Sequence, residues 1–325
     1  MKNLTIPKTD LTVSNVCMGT VSFGSTVDLK ESFRILDRFI ELGGNFLDTA
    51  KIYADWVPGA ERSASEKMLG RWLKARCNRQ SVVVATKGGH MRLGETKPTL
   101  AREMLITQIE ESCKFLQVDA IPLYYLHRDD DTIDVTYIMD TLFSQQDRGL
   151  LRYLGCSNWR SDRIAAANDY AASCGRTGFV AVSNRWSLAK CIPGSQDPTL
   201  VDMNEDLYRL HRSENLAAVP FSSTAGGYLS KLAAGQPVRP LQKVCYGVPE
   251  NDALAQRANI LALEKGVTVA QLAIAYFYSQ DFPAIPITAF SNDSQMDETV
   301  AAADLVLSPE EYQYLVGGAD LGNCV

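Results

Sequence analysis

The sequence predicts a (β/α)8 TIM barrel, preceded by a short N-terminal hairpin that caps the barrel floor. Strand and helix patterns alternate along the 325 residues, and eight of the strand candidates are apolar runs. Such alternation gives a parallel sheet, and eight units favour a closed barrel over the alternative, an open doubly wound sheet. No linker or composition break interrupts the pattern, so we expect a single domain over residues 1–325.

The strand candidates follow a hairpin in which segments 4–6 and 11–13 flank the polar turn at 7–10. Each barrel strand is a short, nearly continuous apolar run, as is typical of parallel strands that are buried on both faces. The strands are expected at residues 16–18, 45–50, 82–87, 121–127, 152–158, 179–183, 217–221 and 284–288.

Helices are predicted between most of these strands. Residues 31–42 carry one apolar face and end at Gly43 and Gly44, a frequent C-terminal cap, and residues 65–76 repeat the pattern. The clearest amphipathic spacing lies in residues 134–148, where apolar side chains recur at i, i+3, i+4, i+7 and i+8: Val135, Ile138, Met139, Leu142 and Phe143. These apolar faces are expected to pack on the sheet.

Composition narrows the class of protein. A formal net charge of −6 and a pI near 5.2 argue against nucleic acid or an anionic membrane as the main partner. The eight cysteines form no C-x-x-C pair and only three histidines accompany them, so we expect reduced thiols and no metal site. The first residues lack the apolar core of a signal peptide and no run approaches a membrane span, so a cytoplasmic location is expected.

Four polar residues, Asp48, Tyr53, Lys87 and His127, lie at or just beyond the ends of three predicted strands. The separations are 87 − 48 = 39 and 127 − 87 = 40 residues, each long enough for a strand, a crossover helix and two loops. Barrel enzymes carry their chemistry at the carboxyl ends of the strands, so these side chains are expected to converge on one proton-transfer site. Singly, each could instead serve packing or a structural ion pair.

A dinucleotide fingerprint is missing from the first strand-to-helix turn. The segment 18–24 contains Gly19 and Gly24, which do not have the spacing of G-x-G-x-x-G. A nicotinamide coenzyme, if one is used, must therefore be held in another way.

The chain resembles the aldo-keto reductase family along nearly its whole length. The matching segments are 18–20, 45–53, 65–70, 85–89, 126–129, 149–158 and 307–311. The resemblance implies a TIM-barrel oxidoreductase that uses NADP(H), with NAD(H) as the alternative, to reduce an aldehyde, ketone or oxidised sugar carbonyl or to run the reverse reaction. A small-molecule carbonyl or sugar is then the substrate. The alternative is a nicotinamide-binding regulatory subunit with little turnover.

The resemblance also implies a role for each of the four polar residues. Tyr53 matches the general acid and Lys87 matches the ammonium beside it. Asp48 matches the carboxylate paired with that lysine, and His127 matches the imidazole directed at the substrate oxygen. The chemistry is consistent, because hydride addition to a carbonyl leaves an alkoxide that needs a proton and fixed dipoles. A nearby cation is expected to favour the ionised form of Tyr53 and make it a better donor.

Coenzyme contacts are also implied by the resemblance. Ser157 and Asn158 match residues that bind the nicotinamide carboxamide. A glutamine is common in the family at the end of the next strand, where Ser183 and Asn184 occur here, and Asn184 is expected to replace its amide. Phe221 replaces a stacking tyrosine, and residues 222–227 suit a pyrophosphate. The expected contacts are Gly19, Thr20, Asp48, Ser157, Asn158, Asn184, Phe221, Ser222, Thr224, Gly226, Ser291 and Gln295.

One region departs from the family pattern, and two further regions are expected to affect substrate specificity. Many members place a cation after the eighth strand to bind the 2′-phosphate of NADPH, whereas residues 288–295 contain no cation and one aspartate. The loop 56–65 and the tail to Val325 are expected to tune specificity. Aromatic residues near the predicted mouth either line a substrate pocket or pack at its rim: Trp56, Trp159, Trp186 and Tyr228.

Overall fold

The structure, a computed structural model, describes residues 1–91, 93–95, 98 and 100–317. The tail from residue 318 to Val325 therefore lies outside the described residues. The strands are β1 (Asn3–Thr5), β2 (Thr12–Ser14), β3 (Cys17–Gly19), β4 (Phe46–Asp48), β5 (Val83–Gly88), β6 (Ile121–Leu126), β7 (Leu151–Cys156), β8 (Phe179–Val182), β9 (Ala217–Ala218) and β10 (Ile287–Thr288). The α-helices are α1 (Leu29–Glu41), α2 (Ala64–Arg76), α3 (Arg102–Leu116), α4 (Val135–Asp147), α5 (Ser161–Ser173), α6 (Glu205–Glu214), α7 (Tyr228–Ala233), α8 (Pro240–Tyr246), α9 (Pro249–Lys265), α10 (Val269–Tyr278), α11 (Asp293–Ala301) and α12 (Pro309–Gly317).

The eight strands β3 to β10 form one parallel sheet in which β10 pairs with β3 and the rest follow in chain order to β9. Backbone hydrogen bonds between β9 and the segment leading into β10 close the sheet. The Ala218 amide donates to the Pro283 carbonyl at 2.8 Å, and the Ile285 amide donates to the Ala218 carbonyl at 2.8 Å. The predicted TIM barrel is confirmed, and the open sheet is wrong.

The two strands at this closure are shorter than the sequence predicts. Strand β9 has two residues where 217–221 was expected, and β10 has two where 284–288 was expected. Pro220, Pro283 and Pro286 lie in this region and have no amide hydrogen to donate to a ladder. The extended backbone is present, but its regular pairing is interrupted.

The N-terminal hairpin covers the barrel floor as predicted. Ile6, Leu11 and Val13 are buried and pack in one cluster with barrel-interior side chains such as Phe46. The Asn45 side chain, just before β4, accepts the Ser14 amide at 2.6 Å and donates to the Thr12 carbonyl at 3.0 Å. The floor is thereby closed, which leaves the carboxyl ends of the strands as the open mouth.

The helices follow from capping and apolar spacing. Helix α1 begins after Asp28, whose carboxylate accepts the Glu31 amide at 2.9 Å, and it buries Ile35, Leu36 and Phe39. It ends before Gly43, whose positive φ of 87° favours glycine. The predicted helices at 31–42, 65–76 and 134–148 correspond to α1, α2 and α4.

Helices α9 and α10 meet at a bend of 93°, and together they have the length and composition of a broken membrane span. Within the described ranges, no single helix is long and apolar enough to cross a membrane. Leu261 of α9 and Leu272 of α10 are buried in the same cluster.

Candidate active site

The barrel brings the four polar residues together at its open mouth. Asp48 ends β4, Lys87 lies near the end of β5 and His127 follows β6 directly. These strands are parallel neighbours, so their carboxyl ends are adjacent. Tyr53 lies on the turn after β4, which is tied to β5 by the Lys51 amide donating to the Lys87 carbonyl at 2.9 Å.

The Lys87 ammonium is the centre of the cluster. It donates to Asp48 Oδ1 at 2.5 Å, to the Thr49 carbonyl at 2.9 Å and to the Tyr53 hydroxyl oxygen at 3.1 Å. The side chains of Lys87 and Asp48 are each only 2% exposed. An ammonium has three hydrogens, and each of them has an acceptor here. The cation is therefore fixed in orientation against the Tyr53 oxygen.

Burial and pairing set the charge of this pair. Burial lowers the pKa of Lys87, but the attraction of Asp48 and Tyr53 outweighs it and raises that pKa above its ordinary value of 10.5. Burial raises the pKa of Asp48 above 3.8, against the opposing effect of Lys87. The raised pKa of Lys87 favours the ion pair, whereas the raised pKa of Asp48 opposes it. We assign the ionised pair at neutral pH, because the Lys87 ammonium is hydrogen-bonded to Asp48 Oδ1 and such pairing favours the charged form of both groups.

The Tyr53 hydroxyl keeps its proton. Burial raises the pKa of Tyr53 to about 12, and the neighbouring Lys87 offsets only part of this effect. The expectation that the lysine makes Tyr53 more acidic therefore holds for the contribution of Lys87 but not for the net pKa, because burial is the larger effect. A phenol with this pKa is protonated at neutral pH and is available as a proton donor.

His127 is a neutral imidazole. Burial, together with the nearby His90, Lys87 and Arg128, holds its pKa well below 6.5. Its ring lies edge to face with Tyr53, with 5.9 Å between ring centroids. Nδ1 is buried, and no described residue offers it a hydrogen-bond partner. A neutral imidazole that carries its proton on the other nitrogen, Nε2, is a donor suited to an uncharged carbonyl oxygen.

These pKa directions predict a flat pH profile. We expect the rate of carbonyl reduction to change by less than about threefold between about pH 6 and pH 9. Tyr53 loses its proton only near pH 12, and His127 gains one only well below pH 6.5. Single-turnover rates across this range, at saturating substrate, measure the effect. A limb near pH 6.5 that disappears in His127→Gln would show that His127 titrates in the working range.

The predicted carboxamide residues lie together at the ends of β7 and β8. The Ser157 hydroxyl donates to the Ser183 carbonyl at 2.6 Å, and the Asn158 amide nitrogen Nδ2 donates to Ser157 Oγ at 3.0 Å. Asn184 Oδ1 accepts the Asn158 backbone amide at 2.6 Å. The Ser183 hydroxyl is buried and has no partner in the part of the chain that is described.

The loop 222–227 follows β9 and has an unusual backbone. Positive φ angles occur at Ser222 (56°), Ala225 (50°), Gly226 (61°) and Gly227 (77°). A Cβ at Gly226 would lie 2.7 Å from Arg239 Nη2, so glycine permits the close approach of this guanidinium. Turns of this kind can present successive backbone amides to phosphate oxygens.

Two cations that sequence reasoning missed lie beside this loop. Gln242 Nε2 donates to the carbonyls of Ala225 at 3.0 Å and Gly226 at 2.9 Å. Its Oε1 accepts from Lys231 Nζ at 3.2 Å and from Arg239 Nε at 3.4 Å. Gln242 therefore links the loop to both cations by hydrogen bonds. A pair of cations held beside such a loop is suited to a diphosphate.

Gly19 and Thr20 lie where β3 meets β4 and β10. A Cβ at Gly19 would lie 2.9 Å from Ile287 Cγ2, so glycine allows these strands to approach. Thr20 is fully buried, and its hydroxyl lies 2.9 Å from the Asp48 carbonyl and 2.8 Å from Ser65 Oγ. Thr20 thus supports the backbone of a catalytic candidate.

The predicted adenosine end lies at the start of α11. Gln295 Oε1 accepts the Ser291 amide at 2.9 Å, so these two residues form one turn. Arg34 reaches this turn from α1, a contact that the sequence gave no signal for. Its guanidinium is held by Asp293 at 2.7 Å and by Glu31 at 2.7 Å.

Of the aromatic residues, Trp56 is the one that faces solvent at the mouth. It is 50% exposed, and its ring lies 6.3 Å from the Tyr53 ring. Trp159, Trp186 and Tyr228 are buried and serve packing. Trp56 belongs to the loop 56–65, which is anchored by Asp55 Oδ1 accepting the Ser63 amide at 2.7 Å.

A closed parallel barrel with a tyrosine, a lysine–aspartate pair and a histidine at its mouth defines a class of oxidoreductases that add or remove hydride at a carbonyl carbon. The model of the aldo/keto reductase family matches residues 15–317, and the chain belongs to that family.

Individual relatives agree with this assignment. The chain is 29% identical over 341 residues to an aryl-alcohol dehydrogenase [NADP(+)] of Phanerodontia chrysosporium, which covers 95% of this chain and 83% of the relative. It is 27% identical over 320 residues to norsolorinic acid reductase A of Aspergillus parasiticus, with 94% and 77% covered. A crystal structure of a thermostable aldo-keto reductase with the inhibitor epalrestat has the same fold, at a TM-score of 0.75, 17% identity and coverage of 97% and 98%. The chain is therefore an oxidoreductase.

Proposed function

We propose that this enzyme reduces the carbonyl of an aldehyde or ketone with NADP(H), or oxidises the corresponding alcohol. The contact that carries the proposal is the buried Lys87 ammonium, which touches Asp48 Oδ1 at 2.5 Å and the Tyr53 hydroxyl at 3.1 Å. Membership of the aldo/keto reductase family and a relative named for NADP(+) support the coenzyme.

The residues at the mouth fit such a coenzyme. Ser157 and Asn158 would hold its carboxamide end, Asn184 lies directly behind Asn158, and Phe221 offers a half-buried ring face. The loop 222–227 with Lys231 and Arg239 would hold the diphosphate. Of the remaining predicted contacts, Ser291 and Gln295 would serve the adenosine end, whereas Gly19, Thr20 and Asp48 lie with the catalytic cluster, at the nicotinamide end. The bound coenzyme supplies hydride at the carbonyl carbon.

The protein contributes the proton and the electrostatic environment. Tyr53 would donate its hydroxyl proton to the substrate oxygen as negative charge develops there. Lys87 would stabilise the resulting phenolate, since it already lies 3.1 Å from that oxygen. The neutral His127 would donate a hydrogen bond to the same substrate oxygen, and this orients the carbonyl. Asp48 keeps the lysine charged and in place.

We propose an aromatic aldehyde or ketone as the substrate class, with an oxidised sugar as the alternative. Trp56 presents an exposed aromatic face beside Tyr53, and such a face stacks on planar rings. The relative from Phanerodontia chrysosporium is named for an aryl alcohol. Purified protein with NADPH, tested on benzaldehydes and keto sugars, decides between the two classes. Coenzyme binding without turnover on any of them would instead support the nicotinamide-binding regulatory subunit.

Coenzyme preference is expected to be weak. The stretch 288–295 has no cation, and Arg34, which reaches it, is already paired with Asp293 and Glu31. Neutral donors at Ser291 and Gln295 should favour NADPH over NADH by less than about 100-fold, or about 2.7 kcal/mol. Ratios of kcat/KM for the two coenzymes at fixed ionic strength measure this preference. A preference above about 10³ would mean that a cation is released to the 2′-phosphate.

A further inference from the structure

We infer that Asn184 and the Arg185–Asp202 ion pair are positioning residues, which hold Asn158 in the conformation that the nicotinamide end of the coenzyme requires. This inference rests on the proposed function, because it takes Ser157 and Asn158 as the carboxamide contacts. It goes further by giving Asn184 an indirect role and by adding two residues that no motif singled out.

Asn158 needs support because its backbone is left-handed, with φ at 59°. This region is unfavourable for a residue with a side chain, although asparagine tolerates it better than most. Asn184 braces both sides of the residue. Its Oδ1 accepts the Asn158 amide at 2.6 Å, and its Nδ2 donates to the Trp159 carbonyl at 3.1 Å. Since both ends of the Asn184 amide are engaged with this backbone, Asn184 acts on the coenzyme through Asn158.

A second brace holds the Asn158 side chain. The Val201 amide donates to Asn158 Oδ1 at 3.2 Å. Val201 is itself fixed by Arg185, whose amide donates to the Val201 carbonyl at 3.1 Å. The Arg185 guanidinium binds the next residue, Asp202, in a bidentate manner at 2.5 and 2.9 Å, and the arginine side chain is only 2% exposed. The ion pair thus fixes residues 201–202 against the end of β8.

The braced side chain is joined to the catalytic cluster. Asn158 Nδ2 donates to the His127 carbonyl at 3.2 Å and to Ser157 Oγ at 3.0 Å. Both hydrogens of Nδ2 are therefore engaged in hydrogen bonds, and Oδ1 already accepts the Val201 amide. These bonds fix the orientation of the side-chain amide, including the second lone pair of Oδ1, relative to the mouth. Loss of either brace should disturb the carboxamide contacts and leave the distant diphosphate and adenosine contacts in place.

The test compares two probes on the full chain: NADPH and 2′-phospho-ADP-ribose, which lacks the nicotinamide ring. Asn184→Ala and Asp202→Asn should each weaken NADPH binding by about tenfold, as expected for a lost or misdirected hydrogen bond in a buried site. Binding of 2′-phospho-ADP-ribose should change by less than about twofold. Dissociation constants come from calorimetry, and melting temperatures of the free proteins are recorded in parallel.

Glu311→Gln is the matched control. Glu311 pairs with Lys265 at 2.6 Å, and its side chain is 21% exposed, against 19% for Asp202. It joins α9 to α12, away from Asn158, so neither probe should bind differently. If Asp202→Asn fails to fold, Asn184→Ala decides, because it leaves the ion pair intact.

Equal weakening of both probes, or none of either, would overturn the positioning role. A third outcome concerns the proposed function itself. If the unmodified protein bound NADPH no more tightly than 2′-phospho-ADP-ribose, Ser157 and Asn158 would make no useful carboxamide contact. That result overturns the assignment of the nicotinamide end, and the inference with it, before any variant is compared.

Discussion

Tyr53→Phe is expected to slow hydride transfer by about 10² to 10⁴-fold while coenzyme affinity changes by less than about twofold. The hydroxyl is needed only when charge develops on the substrate oxygen, so its loss should not affect binding of the coenzyme. The ring and its contact with Trp56 are retained. Single-turnover hydride transfer and coenzyme titration, run on the same preparations, separate the two effects.

Tyr125→Phe is the matched control for this change. Tyr125 lies on β6 inside the barrel, and its hydroxyl is buried with no partner among the residues described. Removal of an unpaired buried hydroxyl is expected to cost no stability and no activity. Hydride transfer in Tyr53→Phe at the rate of the unmodified protein would remove Tyr53 from the mechanism.

Lys87→Met should abolish most turnover and also destabilise the fold by about 3–5 kcal/mol. The substitution leaves Asp48 as an unpaired carboxylate that is 2% exposed, and it removes the cation that stabilises the Tyr53 phenolate. Any residual activity should depend more strongly on acid. Denaturant unfolding at neutral pH measures the loss of stability, and single-turnover kinetics on the folded fraction measures the catalytic loss.

The double variant Asp48→Asn with Lys87→Met separates stability from catalysis. Removal of both charges should restore much of the stability but not the rate. The lysine has a raised pKa, so its stabilisation is complete below pH 10.5 and is lost only as the pH rises through the higher folded value. The difference in unfolding free energy between the unmodified protein and the double variant should therefore be constant between about pH 6 and 9. A well-folded Lys87→Met with the original rate at every pH would contradict the proposed role.

The catalytic candidates were predictable because their convergence depends only on the order of the strands. Asp48, Lys87 and His127 each follow an apolar run, and parallel strands place their carboxyl ends at one edge. Tyr53 was predictable from the motif around Asp48. Their mutual contacts follow once the strands pair in chain order.

The rest of the site depended on features that a linear pattern does not contain. Lys231 lies in helix α7 and Arg239 directly precedes helix α8, and only the packing of these helices brings both cations to Gln242 beside the loop. Likewise, the net pKa of Tyr53 depends on how deeply its hydroxyl is buried, which strand spacing does not specify. Trp159 is similar, because its place in the core depends on its contact with Phe179.

The proline-rich closure of the barrel determines where the barrel wall is expected to open locally. Between β9 and the chain that enters β10, backbone bonding relies on the amides of Ala218, Ile285 and Ile287, since the intervening prolines cannot donate. This junction is therefore where we expect the barrel wall to open first in local fluctuations. Phe221 follows β9 on one side of the junction, and Ser291 follows β10 on the other. A long ligand that contacts both Phe221 and Ser291 would link the two sides of the junction. Ligand binding at the mouth should therefore slow amide hydrogen exchange in the adjacent barrel wall.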